Sequence, residues 1–253
     1  MIVDIDIGNT RIKWRIAGQS EIFHFDASDD LPEQWKTPPC DSRFRVSSVL
    51  TASQTRHFCE RLASLSTATV EIATVKNSVG GVLLAYRDVA SFGVDRWLAL
   101  LAARIRQPAT DCIVIHAGTA LVADFLRGDG QHLGGYIVSG RQTSLRSLGE
   151  AAQLLEPAVG GELNAPHEFP GATTMECIAA GSSLLFRGFL RELACAASMH
   201  LNSPAWLFAG GDADQMLQLY EGLRKTNLPE SCASGDPHLV SGLVLDGLAI
   251  ALP

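Results

Sequence analysis

The stretch Asp4-Ile5-Asp6-Ile7-Gly8-Asn9-Thr10 decides the fold, and a related stretch, Ile115-His116-Ala117-Gly118-Thr119-Ala120, follows near the middle of the chain. In each, an apolar strand enters a glycine turn that carries a hydroxyl residue. Such a turn directs backbone N–H groups and a Thr hydroxyl at one point, where phosphate oxygens bind. Two related turns half a chain apart predict a duplicated nucleotide-binding fold.

Composition and charge restrict the classes of protein to consider. The chain has 253 residues, 47% of them hydrophobic, with a net charge of −7, so it can build a large core but has no basic field for nucleic acid or an anionic membrane. The N-terminus lacks a signal-peptide pattern, and no uncharged apolar run reaches the roughly 20 residues that span a bilayer. The six scattered cysteines form no zinc motif. We expect a cytoplasmic protein that binds neither nucleic acid nor membrane.

Alternating strand and helix patterns predict an α/β protein. The apolar residues of 2–7 and the period-two pattern of 12–16 predict a β-hairpin. Further strands are predicted near 45–50, 70–75, 112–115, 121–126, 134–138 and 206–209, and helices near 52–65, 97–105, 141–156, 173–198 and 239–252. No flexible linker separates the halves, which we assign as domains 1–108 and 109–253.

Asp6 is the first candidate site residue. It lies within a predicted strand, where Asp is disfavoured, and it precedes a turn lined with N–H groups. A carboxylate there is a reasonable ligand for Mg²⁺ or its waters beside nucleotide phosphates. The alternative is an ordinary hairpin turn, since Asn and Gly favour the conformations that such turns require. Lys13 could reach a phosphate or face solvent.

The stretch Gly93-Val94-Asp95-Arg96 is the second candidate site. Asp95 could cap a helix, where a carboxylate favours the positive end of the dipole. It could instead accept the proton of a substrate hydroxyl, while Arg96 holds a carboxylate through its planar guanidinium group. The residues by themselves favour the cap.

Six ordered motifs resemble those of the type III pantothenate kinases across nearly the whole chain: 6–13, 93–96, 118–120, 134–137, 174–176 and 210–213. The resemblance implies the fold of the acetate and sugar kinase, Hsc70 and actin superfamily. That fold has two ribonuclease H-like domains with a nucleotide cleft between them. The implied reaction is ATP-dependent phosphorylation of pantothenate to 4'-phosphopantothenate, the first step of coenzyme A biosynthesis, in a homodimer that uses Mg²⁺.

The resemblance also implies residue roles. Asp95 would be the catalytic base on the primary hydroxyl of pantothenate, with Arg96 near its carboxylate. Thr174 would approach pantothenate across the dimer interface. The remaining pantothenate contacts would be Tyr86, Gly93 and Val94. The ATP contacts would be Asp6, Ile7, Gly8, Asn9, Thr10, Arg11, Ile12, Lys13 and Thr119, with Asp6 serving Mg²⁺.

Three positions depart from the family pattern. His116 replaces an Asp that helps to bind a monovalent cation, Val122 replaces a threonine, and Leu84 replaces an asparagine. Because imidazole is a poor ligand for K⁺, we expect little dependence on K⁺ or NH₄⁺. His116 could supply positive charge when protonated, or simply pack against the turn. The alternative function is a non-catalytic ligand sensor or regulatory accessory protein on the same fold.

Overall fold

The computed structural model describes residues 1–26, 30–36, 39, 41–64, 68–152 and 170–253, which form two compact units. The first unit contains Met1–Pro108, Gly130–His132 and Gly242–Pro253, and the second contains Ala109–Asp129 and Leu133–Ser241. The assignment of domains 1–108 and 109–253 from the sequence stays a prediction. The C-terminal segment, assigned above to the second half, groups here with the first unit.

The first unit begins with an antiparallel hairpin. Its elements are β1 (Ile2–Ile7), β2 (Ile12–Ile16), β3 (Phe23–Phe25), α1 (Glu33–Lys36), β4 (Arg43–Ser48), α2 (Ala52–Ser64), β5 (Thr69–Ile72), β6 (Ser78–Val79), β7 (Val82–Leu83), a 3₁₀ turn (Val89–Ser91) and α3 (Val94–Arg106). Within this unit, strands β1 to β5 form a sheet in the order β3-β2-β1-β4-β5. Strand β2 is antiparallel to both of its neighbours, β1 and β3, whereas β4 and β5 run parallel to β1.

The two faces of this sheet differ because strand side chains alternate. One face buries an apolar cluster that includes Ile5, Ile7, Trp14, Phe44 and Leu62. The other face carries Asp4, Asp6, Arg45 and Ser47, the polar residues that alternate with the apolar set along β1 and β4. The hairpin thus places Asp6 at the end of β1, on the opposite face from the apolar cluster.

The second unit repeats this plan. Its elements are β8 (Cys112–Ala117), β9 (Ala120–Leu126), β10 (His132–Ser139), α4 (Arg141–Ala152), α5 (Thr174–His200), β11 (Ala205–Ala209), α6 (Ala213–Thr226), a 3₁₀ turn (Glu230–Cys232) and β12 (Pro237–Leu239). Helix α5 is continuous through Gly181 and Gly188. The helical pattern predicted at 153–156 lies outside the described residues.

The strand order of the second sheet, β10-β9-β8-β11-β12, matches that of the first sheet position by position. In the first sheet, the central strand β1 is antiparallel to β2 and parallel to β4. In the second sheet, the central strand β8 is likewise antiparallel to β9 and parallel to β11. The predicted fold class, an α/β protein with duplicated ribonuclease H-like domains of the actin-like ATPase type, is therefore confirmed.

The C-terminal helix α7 (Leu243–Ala251) is held in the first unit by ion pairs and close packing. Asp246 pairs with Arg15 at 2.6 Å and with Arg106 at 2.6 Å. Gly247 lies against the backbone of Leu98 in α3, where a Cβ atom would collide. The predicted helix at 239–252 thus begins later, at Leu243.

A buried ion pair lies beneath α7. Asp4 is fully buried and accepts a hydrogen bond from Arg45 Nε at 2.7 Å. Arg45 also donates to the carbonyl of Leu252 at 3.0 Å. Since a buried charge needs a partner, these contacts connect β1, β4 and the C-terminus.

Among the residues described here, no helix combines the length and the apolar character needed to cross a membrane.

Candidate active site

The first glycine turn closes the β1–β2 hairpin. Gly8 N donates to the carbonyl of Arg11 at 3.2 Å. The side chains of Ile7 and Ile12 are fully buried in the apolar cluster, so only their backbones could contact a ligand. Asn9, Thr10 and Arg11 are exposed. The turn thus exposes polar side chains and N–H groups, while the buried side chains of Ile7 and Ile12 anchor it in the apolar cluster.

Asp6 lies beside a positive charge and a hydroxyl. It is opposite Lys13 in the antiparallel register and beside Ser47 in the parallel register. Burial and the charge of Asp95 raise the pKa of Asp6 to about 6, although Lys13 and Ser47 act in the opposite direction. The structure therefore brings Asp6, Lys13 and Asp95 together. A carboxylate with a raised pKa is a place where an added cation is favourable.

Asp95 lies in the first turn of α3. Its Oδ1 accepts a hydrogen bond from the backbone N–H of Arg96 at 2.9 Å, and Gly93 is the N-cap. A Cβ atom at Gly93 would lie 2.7 Å from Asp95 Oδ1, so glycine is needed for the carboxylate to occupy this place. Val94 is the first helical residue and is half-buried. Asp95 thus does make a helix-terminal contact, while its charge also acts on Asp6.

Arg96 is buried among aromatic rings. Its Nη1 donates to the hydroxyl of Tyr86 at 3.1 Å, and its guanidinium carbon lies 4.4 Å from the ring centre of Phe92. The ring of His132, which is fully buried, lies 6.2 Å from Tyr86 and 5.3 Å from Phe92. These contacts fix the position of a guanidinium group that is suited to a carboxylate.

The second glycine turn joins β8 to β9. Gly118 N donates to the carbonyl of Ala120 at 3.0 Å, and the side chain of Thr119 is exposed. Gly140 N donates to the carbonyl of Thr119 at 2.9 Å. A Cβ atom at Gly140 would collide with the backbone of this turn, so glycine permits the close approach that supports it.

A third glycine turn lies beside the second one. Gly210 has a φ of +106°, and a Cβ atom there would overlap the backbone of Ala117. Asp212 N donates to the carbonyl of Ala117 at 3.1 Å. Because β8 and β11 are parallel neighbours, both turns lie at the same edge of the second sheet, which is where ligands of open α/β sheets bind.

Arg141 and Gln215 are polar residues at this edge that were not singled out from the sequence. Arg141, the first residue of α4, is buried and donates to Gln215 at 3.0 Å. Burial raises the pKa of Asp212, and the charge of Arg141 counteracts part of that rise. The sequence offered only the position of Arg141 directly after Gly140. The contacts with Gln215 and Asp212 depend on tertiary packing.

Two of the departures from the family pattern are direct neighbours. His116 is paired with Val122 across β8 and β9, and with Ala209 across β8 and β11. Its imidazole lies under the turn, since a Cβ atom at Gly118 would be 3.8 Å from His116 Cδ2. The side chains of these four residues offer no oxygen ligand, so they do not fit a hard monovalent cation. Leu84, the third departure, is buried.

Thr174 begins helix α5 and is exposed. The preceding Thr173 forms a capping box with Glu176, accepting from its backbone N–H at 3.3 Å, while Glu176 Oε2 accepts from Thr173 N at 3.1 Å. This arrangement satisfies the backbone N–H groups of Thr173 and Glu176 and holds the start of the helix on either side of Thr174.

Acidic side chains that could hold a divalent metal are limited in the described ranges, where no group of three or more His, Cys, Asp or Glu residues is arranged for a metal ion. Mg²⁺, however, is typically bound by one or two carboxylates together with waters and substrate phosphates. Asp6, with Asp95 nearby, fits that mode, because burial and a second negative charge raise the pKa of Asp6 and both would be offset by an added cation.

Comparison with known proteins identifies the family. The family model described as type III pantothenate kinase matches residues 2–195. A type III pantothenate kinase of Ectopseudomonas mendocina (strain ymp) is 34% identical over 262 residues, covering 100% of this chain and 99% of the relative. One of Teredinibacter turnerae (strain ATCC 39867 / T7901) is 34% identical over 255 residues, covering 96% and 98% respectively.

Solved structures agree in fold. The crystal structure of a candidate 2-dehydro-3-deoxygalactonokinase from Sinorhizobium meliloti has a TM-score of 0.58 at 14% identity, covering 99% of this chain and 95% of that one. At that identity the likeness concerns the fold alone. With the family match over residues 2–195 and the full-length relatives, the chain belongs to the type III pantothenate kinase family.

Proposed function

We propose that this protein transfers the γ-phosphoryl group of ATP to the primary hydroxyl of pantothenate, with Asp95 as the general base. Phosphorylation of pantothenate, in coenzyme A biosynthesis, is the activity of the family to which the chain belongs. The observation that carries the assignment of Asp95 is its position at a helix N-terminus, near enough to Asp6 to raise the pKa of that carboxyl.

The reaction requires an aligned nucleophile and stabilised phosphate charge. Asp95 would accept the hydroxyl proton as the oxygen attacks the γ-phosphorus, and the ADP oxygen would leave on the opposite side. The backbone N–H of Arg96, which donates to Asp95, orients the carboxylate. A base held in this way contributes typically about 10² to 10⁴-fold to the rate.

Arg96 would bind the carboxylate of pantothenate. Its guanidinium is already oriented by Tyr86 and by the ring of Phe92, so little side-chain freedom is lost when substrate binds. Gly93 and Val94 bring the backbone of the helix start to the same place. These residues of the first unit would bind the carboxylate of pantothenate and place its primary hydroxyl beside Asp95.

Nucleotide and divalent metal use follow from the family, and the proposed metal is Mg²⁺. Asp6 would hold the ion or its waters, and the ion supplies charge neutralisation at the phosphates when bound. The proposed phosphate contacts of the first unit are the N–H groups of residues 7–12 and the side chains of Asn9, Thr10, Arg11 and Lys13. In the second unit, Thr119 is the proposed phosphate contact. Because His116 and Val122 offer no oxygen, we propose that K⁺ and NH₄⁺ contribute little.

A homodimer is proposed from the exposed apolar side chains of the second unit. Leu184 and Leu185 of α5 are 74% and 59% exposed. Beside them, α4 and α5 border an apolar groove of about 380 Å³, with Thr174 and Leu148 in its lining. Exposed apolar patches of this kind mark protein interaction sites. A second copy seated here would bring Thr174 into the interface, as the family resemblance implies.

The dimer is tested with Leu184→Asp, which places a charge in the apolar patch. Sedimentation velocity should show a monomer, and calorimetric titration should show pantothenate binding weakened at least about tenfold. Ile105→Asp is the matched control, because Ile105 is 61% exposed on α3 of the first unit and should leave both readouts unchanged. Tight pantothenate binding by the Leu184→Asp monomer would contradict the shared site.

The general base is tested by measuring ADP release with pantothenate and Mg²⁺. Asp95→Asn should lower kcat by about 10²-fold or more while ATP binding persists. Asp88→Asn is the control, since Asp88 also caps a helical turn, accepting from Ala90 N at 3.1 Å, but has no proposed role with substrate. If both variants keep normal turnover, Asp95 is a cap only.

The same assay decides the alternative function. A non-catalytic ligand sensor would bind pantothenate or ATP without releasing ADP, whereas the proposed kinase releases ADP in step with 4'-phosphopantothenate. The expected cytoplasmic location stays a prediction.

A further inference from the structure

A short segment from the middle of the chain, Gly130–His132, belongs to the first unit. It runs beside the end of β7, where Leu83 N donates to the carbonyl of Gly130 at 2.9 Å and Gln131 Nε2 donates to the carbonyl of Leu83 at 3.4 Å. Gly130 has a φ of +92°, and a Cβ atom there would overlap the backbone of Gly81. Glycine therefore permits the close approach that fixes this segment against the end of β7.

The segment ends in His132, whose fully buried imidazole is tied to the backbone just before Tyr86. Ala85 N donates to His132 Nδ1 at 3.5 Å. A backbone N–H can only donate, so Nδ1 carries no proton and the ring proton is on Nε2. An apolar side chain of the same size would fill the space but would remove this acceptor. The imidazole thus combines a ring for packing with a specific hydrogen bond.

The same imidazole packs on both rings that surround Arg96. The ring of Tyr86 is nearly parallel to it, at 20° and 6.2 Å between centres, and the ring of Phe92 is tilted by 60° at 5.3 Å. Tyr86 and Phe92 are themselves 4.5 Å apart. The guanidinium carbon of Arg96 lies 5.6 Å from the first ring centre and 4.4 Å from the second. These distances are in the range where ring pairs and cation–ring contacts are favourable.

We propose that His132 is a positioning residue for pantothenate: it holds the rings of Tyr86 and Phe92, and through them the guanidinium group of Arg96. This inference rests on the proposed function, in which Arg96 binds the carboxylate of pantothenate. His132 is fully buried, so it acts through these rings rather than by touching substrate. A guanidinium group that is already fixed loses little freedom when the carboxylate binds, whereas a loosened one must be ordered at the expense of affinity.

The expected effect is on substrate binding rather than on the chemical step. The proposed base, Asp95, is held by the backbone N–H of Arg96 in α3, and that contact does not involve His132. Removing the imidazole should therefore loosen the guanidinium group and leave the carboxylate of Asp95 in place.

The test compares His132→Ala with the unaltered full-length protein by calorimetric titration with pantothenate and by steady-state kinetics. The Kd and the KM for pantothenate should rise about fivefold to tenfold, while kcat and the KM for ATP should change less than about twofold. Phe44→Leu is the matched control, because it shrinks a fully buried ring in the apolar cluster on the other face of the sheet. It should lower stability without raising the Kd for pantothenate.

Two conservative variants identify the contact that matters. His132→Phe keeps a ring without the acceptor and should recover most of the affinity. His132→Asn keeps an acceptor without the ring and should bind as weakly as His132→Ala. If His132 acts through Arg96, the double variant of Arg96→Ala and His132→Ala should bind pantothenate no more weakly than Arg96→Ala alone, because the two effects are not additive.

Nitrogen-15 NMR of the unaltered protein gives a result that does not depend on the folding of any variant. At about pH 8, His132 should show an unprotonated Nδ1 and a protonated Nε2, and a proton on Nδ1 would overturn the arrangement. The role of His132 also fails if the unaltered protein binds pantothenate and His132→Ala binds it equally well, or if Phe44→Leu weakens binding as much. An unaltered protein that does not bind pantothenate would instead refute the proposed function, and this inference with it.

Discussion

Replacement of Asp6 by Asn should stabilise the protein while impairing nucleotide binding. The pKa of Asp6 rises from 3.8 to about 6 on folding, because of burial and the charge of Asp95. The native state therefore favours the protonated carboxyl, and the ionised form present at neutral pH is destabilising. The rise of about 2 units corresponds to about 3 kcal/mol at pH 7. Asn mimics the neutral carboxyl and avoids this cost.

The sign of the pH dependence follows from the raised pKa. The destabilisation by Asp6 is nearly absent below pH 3.8 and grows as the pH rises towards and through 6. It amounts to less than about 1 kcal/mol at pH 4 and about 3 kcal/mol at pH 7. Urea unfolding of both proteins in EDTA should therefore show the variant more stable by a margin that widens between these two pH values. Taking the difference between the proteins removes the contribution of the other carboxyl groups.

Mg²⁺ dependence supplies the second readout. The variant should need at least about tenfold more Mg²⁺ for half-maximal ATP binding, because the carboxylate proposed to hold the ion is lost. A stability difference that stays constant from pH 4 to pH 7 would refute the reasoning about the raised pKa. An unchanged Mg²⁺ titration would refute the role of Asp6 towards the metal.

Three further substitutions test other parts of the structure. His116→Asp should create a response to K⁺, seen as faster initial rates in K⁺ than in Na⁺ buffers of equal ionic strength. Strong K⁺ activation of the unaltered protein would contradict our interpretation of His116. Arg96→Lys should raise the KM for pantothenate about tenfold or more with less effect on kcat, since the planar guanidinium contact is lost, and an unchanged KM would argue against it. Asp4→Ala leaves the buried Arg45 without a carboxylate partner and should cost about 3 to 5 kcal/mol in urea unfolding. The half-exposed pair of Arg43 and Glu71 provides the control, because Glu71→Ala should cost no more than about 1 kcal/mol.

Local pattern was enough to predict the duplicated fold. The β1–β2 hairpin follows from a period-two pattern around Gly8, and the glycine turn at Gly118 follows from a similar strand and turn. Both are short-range features, because turn chemistry and strand alternation depend on neighbours in the chain. The identity of Asp95 as a candidate base depended in addition on the family resemblance, since the residues around it by themselves favoured a helix cap.

Long-range packing decided what local pattern could not. Residue spacing does not reveal that α7 returns to the first unit, where Asp246 pairs with Arg15 and Arg106, because the partners are far apart in sequence. The same holds for the contact of Arg141 with Gln215.

Charge and burial at a single position are likewise tertiary properties. The sequence placed Asp6 at the end of a strand beside a phosphate-binding turn, and its type and position predicted a metal ligand. Only the folded structure buries that carboxyl and sets the charge of Asp95 near it, which raises its pKa. The sequence by itself determined the β1–β2 hairpin and the glycine turns at Gly8 and Gly118. The tertiary structure determined their electrostatics, because desolvation and charge proximity exist only once distant segments pack together.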